Sequence, residues 1–252
     1  MIDFSLKGKI AVISGASRGI GEQIAITLAD HGAKCILVSR NQEALAEVVN
    51  KIKDNNGEAE AISCHMGEME QIKALFETIE KNHGKLDILV NNAATNPFFG
   101  TVTDVEEWAW DKTMDVNLKG PFFMSQYAAK LMAKNGGGSI VNVASINAIC
   151  PAPYQAIYSM TKAAMVSMTK AFAKELAAWN IRVNALLPGL TKTKFASALI
   201  DNKEIYDYAL QQIPMKRAAE PEEMAGAVLY LVSNAASFTT GTSLVCDGGN
   251  LI

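Results

Sequence analysis

The 252-residue chain is poor in the residues that build metal centres, disulfide frameworks and nucleic-acid surfaces. Its four cysteines, Cys35, Cys64, Cys150 and Cys246, lie far apart without a C-x-x-C pair, and its three histidines, His31, His65 and His83, are equally scattered. This spacing argues against a zinc module and a stapled secreted scaffold, so reduced thiols and no bound metal are expected. Charge is nearly balanced, 23 basic residues against 26 acidic ones for a net of −3, and the only local basic cluster is K-T-K at 192–194. Nucleic acid and membrane surfaces are therefore not expected partners. No apolar run approaches the ~20 residues that span a bilayer. The start, MIDFSLKGK, lacks the basic-then-apolar pattern of a secretory leader, and the final Asn250-Leu251-Ile252 is not a peroxisomal address. These features lead us to expect a cytoplasmic protein acting on a small molecule.

Linkers are missing too. No Pro/Gly/Ser-rich stretch or charge block divides the chain, so residues 1–252 are expected to form one domain. Short β-branched runs recur instead: IAVIS (10–14), KCILVS (34–39), EAISC (60–64), LDILVN (86–91), SIVNV (139–143), IRVNAL (181–186) and SLVC (243–246). Runs apolar on both faces suit a parallel sheet covered by helices on each side. Between them, Ile20, Ile24 and Leu28 before Gly32, and Ile72, Leu75, Phe76 and Ile79 before Gly84, repeat with helical spacing. Asp104 with Glu107 suggests a capping box, and Pro221 after Glu220 suits a helix start. The glycine run 136–138 reads as a turn. The alternation predicts an α/β fold: a Rossmann-like, doubly wound sheet of seven mainly parallel strands with helices on both faces.

Directly after the first strand comes SGASRGIG, residues 14–21, with Gly15, Gly19 and Gly21 enclosing Ser17, Arg18 and Ile20. Glycines there allow a tight turn and bring backbone N–H groups, backed by a helix N-terminus, against a pyrophosphate. A ribose-binding Asp or Glu is expected about 20 residues on in NAD-binding chains. This chain has Ser39-Arg40-Asn41 instead, with no acid from Ile36 through Gln42. Arg40 and Arg18, two of only four arginines, would flank a 2′-phosphate, which a guanidinium binds through paired charged hydrogen bonds. NADP(H) is therefore the expected cofactor.

Tyr158 and Lys162 in YSMTK stand one helical turn apart, on one face. A neighbouring ammonium stabilises phenolate and lowers a tyrosine pKa, which would suit Tyr158 to general acid-base work. Ser145, at the end of the fifth strand, could hydrogen-bond the same substrate oxygen.

Together with the glycine turn, NNAA (91–94), Asn117 in MDVNLKG, Ser145 in NVASINA, YSMTK and PGLTKT (188–193), in this order, resemble the short-chain dehydrogenase/reductase family over essentially the whole chain. NNAATNPFFG, CHMG, SRN and PGLTKTKF are similar to its NADPH-dependent carbonyl and retinal reductase branch. The resemblance implies a cofactor half of about 1–145 and a catalytic and substrate half of 146–252. It implies that Lys162 also holds the nicotinamide ribose and that Asn117 orders a water linking Lys162 to solvent. It places Asn92, Ala93 and Ala94 along the cofactor, Ile20 beneath it, and Pro188, Gly189, Thr191 and Thr193 by the nicotinamide and phosphate. Where many members carry an adenine-binding acid this chain has His65, leaving Met66 to contribute its backbone. A homotetramer built through helices near 105–134 and 155–178 and the last strand is implied as well.

Substrate contacts are expected from 146–157 and 190–214, with Asn147, Tyr154, Leu190 and Phe195 joining Ser145 and Tyr158, and Phe98 nearby. Their apolar character suits a bulky ketone or aldehyde, or the corresponding alcohol. Two rivals share these motifs: a 3-oxoacyl-carrier reductase, for which Lys192 and Lys194 leave room, and a dinucleotide-sensing protein without turnover.

Overall fold

A computed structural model describes residues 3–252, apart from the side chain of Ala198. Seven strands, β1 (Ile10–Ser14), β2 (Lys34–Ser39), β3 (Glu58–Ser63), β4 (Ile88–Asn91), β5 (Gly138–Val143), β6 (Ile181–Pro188) and β7 (Ser243–Cys246), form one sheet in the order β3-β2-β1-β4-β5-β6-β7. Every pairing is parallel. The order reverses between β1 and β4, which opens a crevice at their carboxyl ends where ligands bind in such sheets.

Alternation along the strands explains why helices cover both faces. Ala11 and Ile13 of β1, with Cys35 and Leu37 of β2, enter one core, while Ile10, Val12, Ile36 and Val38 enter the other. The first core is closed by α1 (Gly19–Asp30), α2 (Gln42–Asp54) and α9 (Pro221–Val232) through Ile24, Leu45, Ile52 and Val228. The second is closed by α3 (Met69–His83) and α5 (Gly120–Lys134), whose Ile72, Phe76, Met124 and Met132 are buried. Helix α4 (Glu107–Met114) runs through a π-helical turn, Asp115–Lys119, into α5. Helix α6 (Ala156–Leu176) packs Met165 and Met168 against Ala185 and Leu187 of β6, and two short helices, α7 (Ser197–Ile200) and α8 (Lys203–Gln212), follow β6.

A polar seam crosses the second core. Asn91 and Asn142 are register partners on β4 and β5, and the Asn91 amide donates to Asn142 Oδ1 (2.8 Å) and Ser125 Oγ (2.9 Å). Asn142 in turn donates to Thr169 Oγ1 on α6 (2.9 Å).

Two local expectations need comment. Asp104 does not cap α4: it ends a 3-10 turn (Val102–Asp104), where its carboxylate accepts from the hydroxyls of Thr101 and Thr103. Glu106 occupies the cap position instead. Local hydroxyl bonds in TVTD outcompete the capping box. At α9 the expected start is found: Pro221 opens the helix and the Glu223 carboxylate accepts from the Glu220 N–H (2.9 Å).

Candidate active site

The crevice floor is the turn from β1 to α1. Gly15 and Gly19 adopt left-handed φ of 66° and 59°, which favours residues without a Cβ. At Gly21 a Cβ would stand 2.3 Å from the Gly15 carbonyl oxygen. Arg18 precedes α1 without any side-chain cap, so the first N–H groups of a 12-residue helix face the crevice mouth uncapped by a side chain. The one acid of that first turn, Glu22, is paired with Lys51 at 2.7 Å, which offsets its charge. Such a cradle of glycines and a helix dipole fits a dinucleotide pyrophosphate.

The turn is braced from β4. Ser14 Oγ accepts from the N–H groups of Asn92 (3.0 Å) and Ala93 (3.1 Å), and the Asn92 amide donates to the carbonyls of Ser14 (3.0 Å) and Gly15 (3.2 Å). Asn92 thus spends its side chain on the turn itself. Ser14 was not foreseen as part of this site, since a serine closing an apolar strand carries no signal until β4 is beside it.

At the end of β2, the Ser39 hydroxyl folds back on the backbone of Asn41 and the Asn41 side chain caps α2 by accepting from Ala44 N–H (3.1 Å). Arg40 points outward, exposed, into an open recess of about 600 Å³ that it lines with Asn41, Gln42 and Glu43. Of the other arginines, Arg182 donates to backbone carbonyls and Arg217 binds Glu223, so Arg18 and Arg40 are the two exposed on the cofactor side. After β3, Gly67 N–H donates to His65 Nδ1 (3.0 Å), so neutral His65 carries its proton on Nε2 and presents a donor where an acid would accept. Met66 is buried.

Deeper in the crevice lie Ser145, Tyr158 and Lys162, all buried. Ser145 heads a 3-10 turn and accepts from Asn147 N–H (3.1 Å), which fixes its Oγ. Asn147 also donates its amide to Gln155 (3.3 Å). Lys162 Nζ stands 5.5 Å from the Tyr158 ring centroid and donates to the Val143 carbonyl (2.8 Å). The expected lowering of the Tyr158 pKa is not found in the protein alone. Burial pushes the phenol up to about 12, with the neighbouring Ser145 side chain pulling the other way. The same burial brings Lys162 down to about 7, so at neutral pH its charge is only partly present to favour phenolate.

Asn117 sits in the π-helical turn, with Oδ1 accepting from Thr95 N–H (2.8 Å) and its amide donating to the Thr95 carbonyl (2.8 Å) and Thr161 Oγ1 (3.3 Å). Its side chain locks the loop after β4 onto α6. Ala94 lies half-buried on that same loop. After β6, Pro188 ends the strand, and Thr191 donates to the Gly189 carbonyl (3.1 Å). Thr193 caps the next turn by accepting from Ala196 N–H, and a Cβ on Gly19 would stand 3.2 Å from its Cγ2. The segment after β6 therefore folds back over the glycine turn. Leu190 faces a separate cavity of about 220 Å³ shared with Met215, Arg217 and Cys246. Phe195 lies tilted against Tyr158, ring centroids 5.6 Å apart, and Tyr154 lies tilted against Phe99 at 5.7 Å. Phe98 packs near Gly100, so Phe99 is the aromatic that the sequence reading missed.

A parallel sheet with a glycine-lined switch-point crevice and a buried Ser-Tyr-Lys group defines a dinucleotide-dependent oxidoreductase class. Comparison with known proteins agrees. A family model described as enoyl-(acyl carrier protein) reductase matches residues 15–250. Human dehydrogenase/reductase SDR family member 4 is 42% identical over 244 residues, spanning 97% of this chain and 88% of that one. An uncharacterized oxidoreductase of Thermotoga maritima is 39% identical over 251 residues, 98% of both chains. The crystal structure of a gluconate 5-dehydrogenase from Burkholderia cenocepacia, in complex with NADP and tartrate, superposes with a TM-score of 0.94 at 33% identity, covering 98% of this chain and 96% of that one. The chain belongs to the short-chain dehydrogenase/reductase family and is an oxidoreductase. Among the described residues no helix is long and apolar enough to cross a membrane.

Proposed function

We propose that the chain is an NADP(H)-dependent carbonyl reductase in which Tyr158 is the proton donor. The observation that carries this reading is the buried group itself: Tyr158 beside Ser145, with Lys162 against its ring. The preference for the phosphorylated cofactor is supported by Ser39-Arg40-Asn41 at the end of β2, where Arg40 and the uncapped approach of α1 beside Arg18 supply positive charge. The NADP bound to the Burkholderia relative is consistent with it.

When bound, NADPH supplies a hydride to the carbonyl carbon. Ser145, held by Asn147 N–H and beside Tyr158, can turn its own proton to the substrate oxygen. Tyr158, a phenol at neutral pH as any unperturbed tyrosine is, gives its proton to that oxygen as the C–O double bond becomes an alkoxide, so the product is an alcohol. Lys162 draws the proton equilibrium toward this transfer when charged, and also holds the nicotinamide ribose. Both ends of the Asn117 side-chain amide are engaged with Thr95, and the family resemblance supports Asn117 as the residue that would order a water returning a proton through Lys162.

A second reading, reduction of the 3-oxo group of an acyl-carrier thioester, draws support from the acyl carrier named in the description of the family model. Lys192, which would greet an acidic carrier, is paired with Glu220, and exposed aromatics dominate the mouth. A carbonyl panel containing aryl ketones, aliphatic ketones, sugar acids and an acetoacetyl thioester, assayed with NADPH and NADH, decides between them. Oxidation of NADPH by ketones over NADH and over the thioester is expected; turnover confined to the thioester or to NADH sinks the proposal.

A further inference from the structure

Tyr154 is a bulky residue in a backbone conformation that such residues rarely adopt, φ 63°, in the loop between Ser145 and Tyr158. Strain of this kind persists only where surrounding contacts hold it, and it gathers at ligand sites. Here the Tyr154 carbonyl accepts from Gly100 N–H (3.2 Å), tying this loop to the one after β4, and the turned backbone sets the Tyr154 ring 5.7 Å from that of Phe99, tilted by 45°. Despite this pairing both rings remain about half exposed, Phe99 at 53% and Tyr154 at 55%. Two loops thus combine to present exposed aromatic surface on the segment that joins Ser145 to Tyr158. Next along the chain, Gln155 accepts from the Asn147 amide, and Asn147 fixes Ser145, so the pair is linked to the proposed reaction centre through three residues. A half-exposed Phe195 (51%) lies against Tyr158 from another segment.

We propose that Phe99 and Tyr154 form one stacking wall that takes the larger, flat substituent of the carbonyl substrate, making Phe99 a specificity-determining residue. The inference rests on the carbonyl-reductase reading and adds to it the shape of the substituent. Aromatic pairing adds to area burial, and the wall has no other aromatic partner in the loop to satisfy it.

The test compares wild type with Phe99→Ala and Phe99→Leu. For each, kcat/KM is measured with 2-acetylnaphthalene and with 2-butanone, and NADPH binding by fluorescence serves as the check of folding. The ratio of aryl to aliphatic kcat/KM is expected to fall about tenfold or more in Phe99→Ala and less in Phe99→Leu, with NADPH affinity held. An unchanged ratio in both variants overturns the proposal. Binding of 2-acetylnaphthalene to the protein saturated with NADP⁺, followed by calorimetry, is a readout without turnover: weakening of about tenfold in Phe99→Ala is expected. Binding that is absent in wild type, or equal in both proteins, overturns the wall. Binding lost in the variant alongside no turnover of any carbonyl by wild type overturns the reaction while supporting the wall.

Discussion

At the β1–α1 turn the backbone is held by Ser14 and Asn92, an added methyl at Gly21 would meet a carbonyl at 2.3 Å, and one at Gly19 would meet the Thr193 side chain at 3.2 Å. Across the crevice, the loop 149–155 and helix α8 expose Ile149, Tyr154, Ile205 and Tyr208, and α8 buries none of its residues. The first region fits a ligand of fixed shape and the second leaves room for variable ones. On the proposed reading, the braced backbone lies where a cofactor phosphate would sit and the apolar surface where substrates would differ.

The comparison breaks most sharply at the seam between the regions. Tyr158→Phe removes the proposed proton donor and is expected to lower kcat by roughly 10²–10⁴-fold while NADPH still binds. Substantial residual turnover would show that another residue donates. On the rigid side, Gly21→Ala is expected to cost about 3 kcal/mol or more and to abolish tight NADPH binding, read from thermal unfolding and cofactor fluorescence. A near-neutral result would show that the turn can relax and that the contrast is false.

The pH dependence of stability sharpens it next. Lys162 falls to about 7 in the fold from 10.5 when free, so between these values the unfolded chain binds more protons and stability of the apoprotein rises with pH. From pH 7 to 8.5 the gain is up to about 2 kcal/mol, and Lys162→Met should flatten it. The thiols Cys35, Cys64 and Cys246, all raised, act in the opposite sense as pH nears 9 and Tyr158 above that, so the difference between wild type and Lys162→Met across this window is what reports the lysine. A slope that survives the substitution would refute the assignment. Smaller still, Ser39→Asp should shift the NADPH to NADH preference by about tenfold toward NADH, because an acid repels the 2′-phosphate. Smallest, Tyr154→Gly should change unfolding free energy by under about 1 kcal/mol, since relief of the left-handed backbone offsets lost contact; a large loss would mean the loop is structural.

Much of this was legible in the chain. β1, β2 and β7 begin and end where their β-branched runs do, because both faces of each are apolar or half-buried. The glycines at 15, 19 and 21 and the Tyr158–Lys162 spacing also carried their geometry locally. What the chain hid depended on neighbours distant in sequence. The cost of burying Tyr158 reverses the shift read from spacing alone, the Asn92 amide finds its partners only once β4 lies by β1, and Phe99 becomes distinct from Phe98 only through Tyr154. The false capping box at Asp104 failed for a local reason, since threonine hydroxyls one and three positions before it claim its carboxylate.

The amide seam through Asn91 and Asn142 has a consequence for how this topology is chosen. Apolar strands tolerate sliding past one another, but sliding β4 by one residue against β5 would leave two carboxamides facing hydrocarbon with no matching group. The pair works as a key cut for one alignment, and since Ser125 and Thr169 complete it, that alignment also dictates where α5 and α6 come to rest.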